Sequence, residues 1–221
     1  MNSKNFDNAI VTISKEKLAT LPAAGYDGKI SVIDNQSKMV DAIKALNKAD
    51  IIGFDTETRP SFKKGLYYNV ALIQLSTKEC SYLFRTNIIG YPQELIDILE
   101  NPEILKVGLS IHDDFHSLRK VGDFEPQGFI DLQTYVKKYK IADNSLSRLY
   151  GILFDKRISK GQRLSNWEIA ELSEAQQQYA ALDASACIKI YQHLESGKFD
   201  PHDSPYLTLP PEPEEPEEET E

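Results

Sequence analysis

Cysteine, methionine and tryptophan are scarce in this chain, and no stretch stays apolar long enough to span a bilayer. Two cysteines, Cys80 and Cys187, make neither a disulfide framework nor a zinc cluster; each stands among apolar neighbours, as a small core residue of a reducing compartment does. The four histidines, His112, His116, His193 and His202, fit no zinc-binding spacing with them. The opening MNSKNFDNAIVTISKEK lacks the continuous apolar stretch of a secretory signal, so a cytoplasmic location is expected. An excess of basic residues is also missing: 25 Lys and Arg face 34 Asp and Glu, a formal charge of −9. Spread evenly, that balance would count against a polyanionic partner. It is concentrated instead in the terminal LPPEPEEPEEETE, whose seven glutamates carry most of it. A nearly neutral body binds a polyanion through a local patch, particularly where divalent metals supply positive charge.

The 221 residues suffice for one substantial domain. Residues 1–29 read as an N-terminal extension, 30–200 as the domain, and 207–221 as a proline- and glutamate-rich tail with too little apolar surface to order itself. Within the domain, ISVID, IIGFDTET, VALIQL, YLF, LKVGL and FIDL predict strands; the second ends in acidic, turn-prone residues. Helical spacing runs through Met39, Ile43 and Leu46, from Pro92 to Leu99, from Asp113 to Lys120, and through Leu132, Tyr135, Val136 and Tyr139. It returns at Leu146, Leu149, Tyr150 and Leu153, and in a last long helix capped by Ser173 with Gln176 in the capping-box position. A hairpin followed by strand-helix alternation gives an α/β fold, a mixed sheet flanked by helices.

Three acidic sites stand out. Asp55 and Glu57 are two apart on a strand and project from one face, where two anions repel unless a cation sits between them. Hard divalent metals favour such oxygen-only coordination. Tyr179 and Asp183 are four apart on the last helix and share a face among the small residues Ala180, Ala181 and Ala184. Asp114 opens the helix after LKVGLS, where a helix N-terminus favours an acid; its neighbour Asp113 competes for the role, and spacing does not separate them. Each site alone is ordinary: a solvated strand end, a surface aspartate beside a core tyrosine, a helix-start charge.

In this order and context they are not. GFDTET, VALIQLS, VGLSIHDDFHSLRK, QRLSNW and YAALDA resemble the DEDD superfamily of 3′-5′ exonucleases, in the branch that carries a tyrosine. The match is closer to the Werner-type exonuclease domain than to ribonuclease D and runs from about Ile30 to Leu194. The resemblance implies a ribonuclease H-like fold, two Mg²⁺ or Mn²⁺ ions, and hydrolysis of nucleic acid from a free 3′ end to nucleoside 5′-monophosphates. Position by position it makes Asp55, Glu57, Asp114 and Asp183 the metal ligands and Tyr179 the residue that positions water or phosphate. DNA is favoured over RNA because the Werner-type match is the closer one. His112-Asp113 and the loop from Arg59 to Asn69 depart from the family and bear on substrate preference. A non-catalytic module of the same fold and a scavenger of short RNA are the competing readings; the complete set of five residues argues against the first.

Substrate contacts are expected from Lys63 and Lys64, with Phe62, Tyr67 and Tyr68 lining a terminal-nucleotide pocket, and from Arg163, Asn166 and Trp167 of QRLSNW. Trp167 either stacks on a base or is a core residue, the core reading being the favoured one. Lys156, Arg157, Lys160 and Arg163 form a basic loop that either binds phosphates or is merely solvated.

Overall fold

VALIQLS is buried at all seven positions, as a strand covered on both faces must be, and the architecture is built around it. The computed structural model describes residues 7–209. In chain order its elements are β1 (Ile10–Val11), α1 (Lys15–Thr20), β2 (Lys29–Ile33), α2 (Gln36–Leu46), β3 (Ile51–Thr58), β4 (Val70–Ser76), β5 (Cys80–Phe84) and α3 (Thr86–Ile89). There follow α4 (Gln93–Glu100), β6 (Leu105–Gly108), α5 (Ile111–Leu118), β7 (Phe129–Asp131), α6 (Leu132–Tyr135), α7 (Leu146–Phe154), α8 (Glu174–Glu195) and β8 (Leu207–Thr208). No helix among the described residues is long and apolar enough to cross a membrane.

Six strands form one mixed sheet in the order β2-β5-β4-β3-β6-β7. β3, β4 and β5 are antiparallel neighbours, while β2 joins β5, and β6 and β7 follow β3, in parallel. The alternation of side chains along β3 and β4 decides which face each residue serves. Phe54, Ile73 and Leu75 enter a core with Met39 and Leu46 of α2, Leu95 and Leu99 of α4, and Phe115 of α5. The opposite face is covered by α8, behind which α7 and the N-terminal segment complete a second core.

That segment is more closely built into the fold than an extension implies. Val11, Ile13 and Leu21 are buried against α7 and α8, and β1 pairs antiparallel with β8, Ile10 opposite Thr208 and Val11 opposite Leu207. Gly151 on α7 is the point of close approach, since a Cβ there would lie 2.8 Å from a Leu18 methyl. The tail expected from 207 therefore does not begin there: Leu207 and Thr208 are paired, and the proline- and glutamate-rich residues from 210 lie outside the described residues.

Candidate active site

Strand alternation puts Gly53, Asp55 and Glu57 on the α8 face of the sheet. α8 starts at a complete capping box, with the Ser173 backbone N–H donating to Gln176 Oε1 at 3.0 Å and the Gln176 N–H donating to Ser173 Oγ at 3.2 Å. Its small residues Ala180, Ala181 and Ala184 let it lie against the strand, and Gly53 is where the two backbones meet. A methyl group at that position would overlap the Ala184 carbonyl. This contact carries Asp183, one residue before Ala184, onto the carboxylates of β3. Asp55, Glu57 and Asp183 each offer an oxygen within 4.8 Å of the others.

Asp114 arrives by a different route. Ser110, immediately before α5, adopts a left-handed φ of 62°, a conformation costly for a residue with a side chain. The Asp131 carboxylate holds this turn, its Oδ1 accepting the Ser110 N–H at 3.0 Å and the Gln133 N–H at 2.9 Å. Asp114 is thereby turned inward and accepts a hydrogen bond from the Thr56 hydroxyl, while Asp113 is left exposed. The structure thus separates the two candidates. It also sets Asp114 beside the trio rather than within it, one oxygen engaged by the residue between Asp55 and Glu57.

The electrostatics are those of crowded anions, Glu57 and Asp183 buried and Asp55 and Asp114 half-buried. Burial, then the charges of Asp183, Glu57 and Asp114, push Asp55 well above the usual carboxylate range. Burial, with Asp183 and Asp114, raises Glu57 to about 9, partly opposed by Arg163. Burial lifts Asp183 to about 7 against the Tyr179 hydroxyl and Lys160. Burial also lifts Asp114 to about 7 against the Thr56 hydroxyl. Asp183 Oδ1 is buried with no hydrogen-bond partner, a costly condition that a cation would relieve. An all-oxygen donor set with an orphaned carboxylate oxygen fits a hard divalent metal. The Tyr179 phenol is raised far above its ordinary range by burial and by Asp183, Glu57 and Asp55.

The remaining expected residues divide. Trp167 is fully buried among Ala71, Leu72, Leu83 and Ala180, with its ring 6.1 Å from that of Tyr179, so it presents no face to a base. This corrects its assignment as a substrate contact: it is a core residue behind the tyrosine. Arg157 also leaves the basic loop, since its side chain donates to the Leu21 carbonyl at 3.1 Å and its backbone exchanges hydrogen bonds with Pro22 and Ala24. Lys63, Lys64, Arg163 and Asn166 are exposed, and Arg163 and Lys160 are felt by Glu57 and Asp183 respectively. Tyr68 is half-buried under the Arg59 guanidinium, whereas Phe62 and Tyr67 stand out into solvent, so the three do not line a closed pocket.

Sequence reasoning passed over Thr56, Asp131 and Gln74. Gln74 lies directly across from Asp55 in the sheet, fully buried, with neither amide atom hydrogen-bonded. A lone polar residue in an apolar strand was the available signal. Also unforeseen is an open cavity of about 210 Å³ beside Tyr179, lined by Gln178, Gln162 and Ser159 and by Tyr26 of the N-terminal segment.

Residues 30–197 match the 3′-5′ exonuclease family. Among curated relatives, the chain is 37% identical over 160 residues to the bifunctional 3′-5′ exonuclease/ATP-dependent helicase WRN of Mus musculus, covering 70% of this chain but 11% of that protein. It is 30% identical over 201 residues to a 3′-5′ exonuclease of Arabidopsis thaliana, covering 82% and 69%. The crystal structure of the Aedes aegypti Nibbler EXO domain superposes with a TM-score of 0.70 at 21% identity, over 82% of this chain and 97% of that one. The acidic cluster stands within this matched region, and the chain belongs to the 3′-5′ exonuclease family, as an enzyme of the DEDD type.

Proposed function

We propose that the chain hydrolyses nucleic acid stepwise from a free 3′ end, releasing nucleoside 5′-monophosphates, with Mg²⁺ or Mn²⁺ at the carboxylate cluster. The observation that carries this is the convergence of Asp55, Glu57 and Asp183 within 4.8 Å, with a buried Asp183 oxygen lacking any partner. Asp55, Glu57 and Asp183 would hold one ion, and Asp55 with Asp114 a second. Such a pair lowers the pKa of water and stabilises the attacking and leaving oxygens of an in-line displacement.

The protein's own groups do the rest. The Tyr179 phenol keeps its proton at any working pH, so it acts as a hydrogen-bond donor that orients water or the scissile phosphate and not as a base. Lys63, Lys64 and Arg163 neutralise backbone phosphates, and Asn166, which lines one open groove together with Lys63, adds a hydrogen-bonding contact. Trp167 supports the tyrosine from behind. DNA is favoured over RNA on the Werner-type likeness, and two unpaired thiols fit a reducing, cytoplasmic setting.

The test is digestion of matched 3′-labelled and 5′-labelled DNA and RNA oligonucleotides with Mg²⁺, Mn²⁺ or chelator, by wild type and by Asp55→Ala. Release of mononucleotides from the 3′ end by the wild type alone, abolished by chelator, is expected. Undiminished metal-dependent hydrolysis by a folded Asp55→Ala variant would refute the assignment.

A further inference from the structure

Among the described residues three side chains keep a buried polar atom without a hydrogen-bond partner: Gln74, Trp167 and Asp183. All three meet between the sheet and α8. Asp183 is already placed in the carboxylate cluster, and Trp167 stands in the apolar packing behind Tyr179. Gln74 has no such account, and it leaves both ends of its amide unmet. Burying an amide without partners is costly, so its retention in a strand covered on both faces calls for a partner that it gains in use.

Register narrows the choice of partner. Gln74 stands between Leu83 of β5 and Asp55 of β3, directly opposite each. Opposed residues share a face of the sheet, with Cβ atoms about 4.5–5.5 Å apart. The Leu83 side chain has no polar atom and packs with Trp167 and Ala180. Along β4 the neighbours on the same face are Leu72 and Ser76, and the Ser76 hydroxyl donates to Ser81 Oγ at 2.8 Å. In its own row and strand, the Asp55 carboxylate is therefore the acceptor left beside the amide. The last torsion of a glutamine is soft, so the amide turns towards it at little cost. Its neutrality matters as well. A lysine or arginine here would satisfy the carboxylate outright and compete with a metal ion. An amide donor orients the carboxylate and leaves its charge to the ion.

We infer that Gln74 is a positioning residue, its Nε2–H donating to Asp55 when the cluster binds metal and so fixing the orientation of that carboxylate. It acts through Asp55 and touches neither substrate nor metal; the inference rests on the metal reading of the cluster. Mn²⁺ binding to the whole chain is measured by calorimetry, and melting of the metal-free protein by scanning fluorimetry, for wild type, Gln74→Met and Gln74→Leu. Both substitutions keep the bulk of the side chain and remove an unpaired amide, so the melting temperature is expected to hold or rise. Mn²⁺ affinity is expected to fall at least about tenfold. Leu83→Met, one strand further from the cluster, disturbs packing in the same row without removing a donor and should bind Mn²⁺ as wild type does. Wild-type affinity in both Gln74 variants overturns the role. So does an equal loss of affinity in Leu83→Met, or a lowered melting temperature in both Gln74 variants, which would make the amide a structural group. Should one of the two alone be destabilised, the other decides. A wild type that binds no Mn²⁺ sinks the metal reading and this role with it, whereas binding that ignores both Gln74 variants removes Gln74 alone.

Discussion

At the scale of single residues, three carboxyls whose oxygens converge, with a fourth beside them, bind protons more tightly in the folded chain than in the unfolded one. Unfolded carboxyls ionise near pH 4, whereas Asp114 and Asp183 hold their protons to about 7 and Glu57 to about 9. Between those limits the folded state carries the extra protons, so the metal-free protein loses stability as pH rises from about 4 towards 9. A cation that binds only the folded, ionised cluster offsets the loss. Melting followed by scanning fluorimetry is expected to show a larger gain on adding Mn²⁺ at pH 8 than at pH 5. In Asp183→Asn both the pH slope and the Mn²⁺ gain should shrink; a Mn²⁺ gain that survives intact would exclude Asp183 as a ligand. Trp167 makes a second residue-scale prediction. Truncation to alanine should cost about 3–5 kcal/mol of folding stability, as for a buried aromatic. A lowered melting temperature is expected with Trp167→Ala, whereas a changed KM at unchanged stability would return the indole to the substrate.

At the scale of elements, the site depends on how closely α8 lies on β3. Gly53 and the alanines of α8 permit an approach at which any Cβ on Gly53 would meet the Ala184 carbonyl. Because Asp183 is rigidly attached to that turn, lifting the helix separates its carboxylate from Asp55. Gly53→Ala should cost about 1–3 kcal/mol through overpacking and weaken Mn²⁺ binding measured by calorimetry. Stability lost with Mn²⁺ affinity intact would mean that the cluster tolerates the displacement. The i, i+2 and i, i+4 spacings of Asp55–Glu57 and Tyr179–Asp183 were legible because strand and helix periods alone set them. The Thr56–Asp114 contact was not legible, since it needs the left-handed turn at Ser110 and the grip of Asp131, 21 residues further on.

At the scale of the whole molecule, the first and last strands of the described residues are fastened to each other and to the back of the site. β8 closes on β1, the Tyr206 hydroxyl donates to Asp155 at 2.5 Å, and the Thr12 N–H donates to the Tyr206 carbonyl at 3.0 Å. The same N-terminal segment delivers Tyr26 to the cavity beside Tyr179. A chain ended at Ser204 loses a buried aromatic and the β1 pairing, and should lose about 3–5 kcal/mol of stability by urea denaturation. An unchanged unfolding midpoint would show that the clasp contributes nothing to the fold.

The six strands of the main sheet and its longer helices, and the shared faces of Asp55–Glu57 and Tyr179–Asp183, followed from local pattern, because periodicity is a property of neighbours along the chain. Tertiary structure alone decided that Asp113 faces solvent and Asp114 faces Thr56, that Trp167 stands behind Tyr179, and that Phe62 and Tyr67 remain uncovered. Each of these depends on which distant segment packs against which, and sheet register and helix approach distance settle that only when the whole chain has folded.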